Sequence, residues 1–267
     1  IKYMLYIGES INGTIPAVNQ AILKHDADFI LKLAATQVEC GADYLDVNAG
    51  TGGIGNERDD LKWLIELLQD NVECPLCLDS SEPEILMETY ENYRGKPMFN
   101  SVCDGKKLDI MAPAISEQEC SVIALAHGED GIPDNAELRF VFADKIIKRL
   151  RNINVKDCDI YIDPIIMSLS TNTGAGKVTL DTIKRIHEAY PEVNIILPIS
   201  NIGFGIPKRK RINDTFAAMC IQNGANAFIA DVRDKSFIGT TLAAEALLDK
   251  DRFCKRYIKA YKKGRIE

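Results

Sequence analysis

The chain is poor in the residues that most often carry chemistry on their own. It holds only three histidines among 267 residues, and no His, Cys and Asp cluster has metal-ligand spacing. His25 and His187 fall in stretches expected to be surface helices. His127 alone lies near a strand end, with no sequence partner to give it a role. No nucleophile–base pair stands out either. The glycine-rich NTGAGK (172–177) is not a phosphate loop: no glycine occupies position 171, and Val178 replaces the required Ser or Thr. There is no run of 18 apolar residues and no charged-then-apolar leader pattern, so a cytoplasmic protein is expected. A basic surplus is missing as well. The net charge of −7 and isoelectric point near 5.2 argue against nucleic acid as a partner.

Cysteine is not scarce, with eight residues, but a disulfide framework is not expected in a chain of this size. Cys74-Pro-Leu-Cys77 is the single C-x-x-C, and no second pair stands at zinc spacing. It lies at the entry to an apolar strand, which points to structural thiols.

What is present is a monotonous alternation. Apolar, strand-like runs occur at 3–9, 43–49, 75–80, 98–103, 121–128, 160–166, 194–201 and 227–232. Amphipathic helical stretches such as LKWLIELLQDN and LRFVFADKIIKRL lie between them. The connection at 107–119 is short and broken by proline, which leaves its helix in question. Strands that are apolar throughout, rather than at every second residue, fit a parallel sheet covered on both faces. Eight β-then-α units, with no linker, low-complexity tract or other repeat, predict an α/β fold, a (β/α)8 TIM barrel in one domain over 1–267. The closing and basic helices, over about 241–262, are expected to pack on the barrel.

In such a barrel, function collects at the C-terminal ends of the strands. The polar residues do the same. Glu9 and Asn12 follow the first strand, Asp46 and Asn48 end the second, and Asp79 ends the third. Asn100 falls in the fourth, His127 ends the fifth, Asp163 the sixth, Ser200-Asn201 the seventh and Asp231 the eighth. Any one of these has a dull explanation as a helix cap. A ring of them at one mouth does not. Carboxylates and amides together suit a flat heterocycle rich in N–H donors, because carboxylates accept in pairs and Asn amides both donate and accept.

The ordered strand ends IGESING (7–13), DYLDVNAG (43–50), LCLDS (76–80), FNS (99–101), YIDPII (161–166), SNIGFG (200–205) with RINDTF (211–216), and FIADVRD (228–234) resemble the pterin-binding methyltransferases. GIP (131–133) belongs to the same set. The resemblance is nearest to methyltetrahydrofolate:corrinoid protein methyltransferases. The folate module of cobalamin-dependent methionine synthase and the dihydropteroate synthases share that family's fold. It implies that Asp79, Asn100 and Asp163 hold the pterin ring, that Asp46 and Asn48 line the same pocket, and that Asn201 faces the methyl-bearing N5. Arg209 matches an arginine at the substrate and corrinoid side of the mouth. Phe204 departs from the pattern, standing where the family often has a polar side chain. Methyltetrahydrofolate or tetrahydrofolate would be the substrate, with no metal bound directly. No D-x-H-x-x-G cobalamin signature occurs, so a separate corrinoid protein is expected to bring the corrinoid. A homodimer is implied by resemblance alone.

Two other readings stay open. A dihydropteroate synthase would carry a Ser-Arg-Lys type loop after the seventh strand and Arg-x-His at the eighth, where this chain has SNIGFG and ADVRD. A non-catalytic folate-binding subunit would bind the substrate without transferring methyl. The basic run 208–211 (KRKR) reads either as a solvated helix start or as a docking site for the folate tail, the corrinoid or an acidic partner surface.

Overall fold

The computed structural model describes residues 3–53 and 55–267. Eight parallel strands close into one barrel in sequence order: β1 (Leu5–Asn12), β2 (Tyr44–Asn48), β3 (Leu76–Asp79), β4 (Met98–Val102), β5 (Ser121–Leu125), β6 (Ile160–Asp163), β7 (Asn194–Pro198) and β8 (Ala227–Ala230). The connecting helices are α1 (Pro16–Leu23), α2 (Ala27–Glu39), α3 (Glu57–Asn71), α4 (Pro83–Thr89), α5 (Lys106–Glu117), α6 (Ala136–Asn152), α7 (Ala175–Ala189), α8 (Lys210–Asn223) and α9 (Lys235–Leu247). A further helix, α10 (Lys255–Lys262), lies against α9. The (β/α)8 barrel read from the sequence is the one found.

The two-residue strand period divides the core in two. Leu45 and Val47, Leu76 and Leu78, Ile160 and Ile162, and Ile195 and Leu197 face outward and pack with the helices. Ile7, Cys77, Met98, Ile123, Tyr161, Ile196 and Ile229 face inward and plug the barrel. Both faces are therefore apolar, which is why the strands showed no alternation. All eight cysteines are free, and Cys77 is part of the inner plug. Among the described residues no helix is long and apolar enough to cross a membrane.

Four local expectations are corrected. β1 runs to Asn12 rather than ending at Glu9, because a bulge between Gly8 and Ile11 lets the strand continue. The buried Gln37 fills that bulge, accepting from Ser10 N at 3.0 Å. An unforeseen helix, α1, follows, started by Pro16 in its first turn. His25 is not helical: it sits in the turn after α1 at φ 50°, stacked on Trp63 with ring centroids 4.4 Å apart. Finally, α5 is a full helix of 12 residues with Pro113 inside it. The ring faces solvent, so it costs one backbone hydrogen bond without obstructing the buried Leu108, Met111, Ala114 and Ile115.

Replacing that proline gives a direct measure of the cost. Pro113→Ala restores the missing N–H, worth about 3 kcal/mol on helix propensity, and frees the unfolded chain by about 0.4–1 kcal/mol. A net gain of about 2–2.6 kcal/mol is expected in urea unfolding. Equal or lower stability would show that the helix has adapted to the ring.

Candidate active site

The inward-facing plug residues also fix where the polar groups go. Two residues beyond each of Ile7, Tyr44, Cys77, Met98, Tyr161 and Ile229 stand Glu9, Asp46, Asp79, Asn100, Asp163 and Asp231. The strand period turns these to the barrel axis, one layer above the plug. They line a cleft of about 740 Å³ at the C-terminal mouth, together with Asn12, Ser200, Asn201, Phe204 and Arg209. The structure thus collects Asp46, Asp79, Asn100, Asp163, Asn201, Arg209 and Phe204 in one cavity.

Asn48 differs. It is not part of the cleft wall but stands behind Asp79, donating from Nδ2 to Asp79 Oδ2 at 2.9 Å and accepting from Gly50 N at 2.9 Å. Both ends of its amide are engaged by the protein, so it orients a carboxylate instead of facing the cavity. His127 also lies off the cleft wall, with Nδ1 2.8 Å from the Gly128 carbonyl oxygen.

The cleft concentrates carboxyl groups, and burial dominates their behaviour. Asp46 is pushed well above the usual carboxylate range, by burial first and then by the charge of Asp79. Asn100 Nδ2 donates to Asp46 Oδ1 at 3.1 Å and opposes the rise. Asp79 is also raised by burial, against the pull of Asn48 and Lys107. Asp163, 6% exposed, is pushed up to about 7 by burial, with the Ile165 N–H (2.7 Å to Oδ1) and Arg139 opposing. Burial and then Asp231 push Glu9 up to about 7. Asp231 goes the other way. Burial disfavours its charge, but Arg233 grips both its oxygens at 2.7 and 3.0 Å and holds it below the usual range.

The cleft lip is made by the turn after β7. The strand ends at Pro198 and a single 3-10 turn, Ile199–Asn201, follows. Asn201 is exposed, and among the described residues nothing bonds its amide. Phe204, 67% exposed, follows at the rim. In the basic run, Arg209 immediately precedes α8 and reaches the cleft, while Lys210 pairs with Asp234 at 2.6 Å. That pair offsets the unfavourable placing of cations at a helix start.

Sequence reading missed part of the wall. Thr14, Ile15 and Pro16 come from the β1–α1 connection, hidden by the strand being cut short. Arg233 was visible in FIADVRD, where a cation two residues past a strand-end aspartate was the available signal. Among the described residues no group of three His, Cys, Asp or Glu side chains could hold a metal ion.

Residues 8–231 match the family described as pterin binding enzyme. A methylcorrinoid:tetrahydrofolate methyltransferase of Eubacterium limosum is 35% identical over 98% of both chains. Methionine synthase of Mycobacterium tuberculosis is 27% identical over 85% of this chain, which corresponds to 20% of that protein. Two solved dihydropteroate synthases share the fold. That of Xanthomonas albilineans superposes with TM-score 0.62 at 17% identity over 92% of both chains, and that of Yersinia pestis with 0.65 at 14% over 92% and 93%. With the barrel and its polar mouth inside the matched span, the chain belongs to the pterin-binding enzymes.

Proposed function

We propose that the chain is a methyltransferase that moves a methyl group between N5 of methyltetrahydrofolate and a corrinoid carried by a separate protein. The observation that carries this reading is the unengaged amide of Asn201 at the lip of a cleft that holds the buried carboxyl groups of Asp46 and Asp163 and the half-buried one of Asp79. The relative from Eubacterium limosum, named for this chemistry, supports it over nearly the whole chain.

A pterin offers amino and ring N–H groups along one edge. Asp79 and Asp163 accept from that edge, and Asn100 bridges to Asp46, whose carboxyl group burial holds well above the usual carboxylate range. The methylated N5 is a tertiary amine, a poor leaving group until it gains a proton. As the N5–C bond breaks, its electron pair stays on nitrogen, and a proton there makes the departing group neutral. Asn201 suits this because its oxygen accepts from N5–H⁺ and its NH₂ donates to the neutral amine. A fixed carboxylate would accept only, and would favour the protonated ground state as well. The reduced corrinoid, when docked, supplies the nucleophile that takes the methyl group. The protein's share is to hold the ring and stabilise the protonated transition state.

The rim fits a docked corrinoid. Phe204 presents an exposed flat face, and Gly203 and Gly205 flank it with no side chain to obstruct approach. The decisive experiment is methyl transfer from methyltetrahydrofolate to reduced cobalamin, followed by absorbance. Binding without transfer would leave only a folate carrier. Arg209 and the neighbouring cations also predict salt sensitivity. Transfer to a corrinoid protein should slow as ionic strength rises from about 10 to 150 mM, where the screening length falls from about 30 to 8 Å. Arg209→Gln should flatten that dependence, and an unchanged salt slope would exclude the basic loop from docking.

A further inference from the structure

We infer that Arg139 is a positioning residue for the cleft: its buried guanidinium clamps the Asp163–Pro164–Ile165 turn and supplies the counter-charge that keeps the Asp163 carboxylate open to the ligand. The ligand's identity rests on the function proposed above; the clamp on Asp163 does not.

Arg139 occupies the buried stripe of α6 with Ala143, Ile146, Ile147 and Leu150, where an aliphatic residue would be the ordinary choice. It is only 2% exposed, and arginine is rarely buried without strong compensation. The compensation is a set of backbone carbonyls from two loops at the barrel mouth. Nε donates to Pro133 O at 2.8 Å, and Nη1 donates to Pro164 O at 3.0 Å and Ile165 O at 2.6 Å. One side chain therefore ties the GIP segment after β5 to the turn after β6.

That turn needs holding. Ile165 sits at φ 66°, a left-handed conformation unfavourable for a β-branched residue. Its N–H donates to Asp163 Oδ1 at 2.7 Å, and its carbonyl accepts from both Arg139 and Thr179 Oγ1, the latter at 2.9 Å. The Ile165 peptide is thus held at both ends. Asp163 has Oδ1 committed to the turn, which leaves Oδ2 for the cleft. Releasing the carbonyl would let Ile165 relax and would free the carboxyl group to rotate.

The charge matters as well as the shape. Among the described residues no carboxylate is within ion-pair distance of Arg139; the negative groups that bear on it are Asp163 and the exposed Asp134. Around Asp163, β5 contributes Leu125 and the Ala126 N–H, α7 contributes Thr179, and Arg139 is the one cation on α6 that acts on it. Asp46, Asp79, Asn100 and Glu9 share the same cleft. Burial drives Asp163 towards its neutral form, and Arg139 opposes this.

The test reads Asp163 directly. Its carboxyl titration is followed by ¹³C NMR in ligand-free protein, assigned by the signal lost in Asp163→Asn. Arg139→Gln should raise the midpoint from about 7 by about one unit or more, and Arg139→Lys should restore most of the shift. Tetrahydrofolate affinity in Arg139→Gln should fall about tenfold at pH 7 and recover to within about threefold of wild type at pH 9. A midpoint within about 0.3 unit of wild type, or a folded lysine variant that restores nothing, would overturn the inference. If the glutamine variant fails to fold, Thr179→Val still tests the clamp. Removing that second donor should weaken tetrahydrofolate binding about threefold while the midpoint stays put, and unchanged affinity would count against a clamp. If wild-type protein binds no tetrahydrofolate, the proposed function fails, and the NMR midpoints alone decide the role of Arg139.

Discussion

Asn201→Ala is expected to slow methyl transfer by about 10²- to 10³-fold, the usual consequence of removing one well-placed group that acts on developing charge. Tetrahydrofolate affinity should fall by less than about tenfold, because a neutral hydrogen bond is worth only about 0.5–1.5 kcal/mol in binding. The fold should be indifferent. Asn201 is exposed, closes a short 3-10 turn and has no side-chain hydrogen bond among the described residues. Single-turnover transfer and equilibrium binding, measured on the same preparation, separate the two effects. Loss of affinity matching the loss of rate would mean that the amide binds N5 without favouring its protonated state. An unchanged rate would remove Asn201 from the mechanism altogether. Asn201→Asp sharpens the point: its carboxylate can accept from N5–H⁺ but cannot donate to the neutral amine, so binding should survive better than turnover.

The barrel could be read from the sequence because its strands are apolar on both faces and its helices on one, a pattern that only a covered parallel sheet produces. The carboxylates were readable for a related reason. Asp46, Asp79 and Asp163 interrupt apolar strands at positions where a charge would otherwise be expelled, and the strand period carries them to the axis. What stayed hidden depends on contacts far apart in sequence. The bulge in β1 exists because Gln37, on the following α2, fills it, and no local pattern around Gly8 announces that. Asn48 looked equivalent to Asp46 because both end β2. Only the position of Asp79 on the next strand shows that Asn48 is a support rather than a wall. Arg139 was concealed in an amphipathic helix, where a single cation gives no local sign of being buried. Its burial depends on carbonyls contributed by two loops, one of them more than 20 residues downstream. Pro113 misled in the opposite sense, since a proline costs a helix less when the ring projects into water.

Asp163→Asn should make the protein more stable at pH 8 and nearly unable to hold its ligand. The sign follows from burial. In the unfolded chain an aspartate ionises near 4, whereas the folded Asp163 keeps its proton up to about 7. Its contribution to stability is therefore fully present below about pH 4 and is lost as pH rises through 7. At pH 8 the folded protein carries a charge in a site that disfavours it, and a neutral amide removes that cost, on the order of 2–4 kcal/mol before relaxation. The amide oxygen can still accept from Ile165 N, so the turn need not open. For a chain of this length the midpoint of thermal unfolding should rise by several degrees at pH 8, at about 2–4 °C per kcal/mol. The gain should shrink to about a third of its pH 8 value at pH 5, where only the unfolded chain is ionised, and disappear below about pH 4, where the carboxyl group is neutral in both states. Glu9, also pushed up to about 7, imposes a similar pH slope on both proteins and cancels in the difference. A variant less stable at pH 8, or equally stabilised at both pH values, would refute the assignment of a buried, strained charge. Ligand binding should move the opposite way. Exchanging an ionised acceptor for an amide removes a charge-assisted hydrogen bond worth about 1.5–3 kcal/mol and turns an NH₂ towards the donor edge of the pterin. Affinity for tetrahydrofolate should fall by about 10²-fold or more. Stability gained and affinity lost at one residue is what a binding group held against its own preference predicts, whereas a carboxylate present only to cap a turn would lose stability and leave affinity alone.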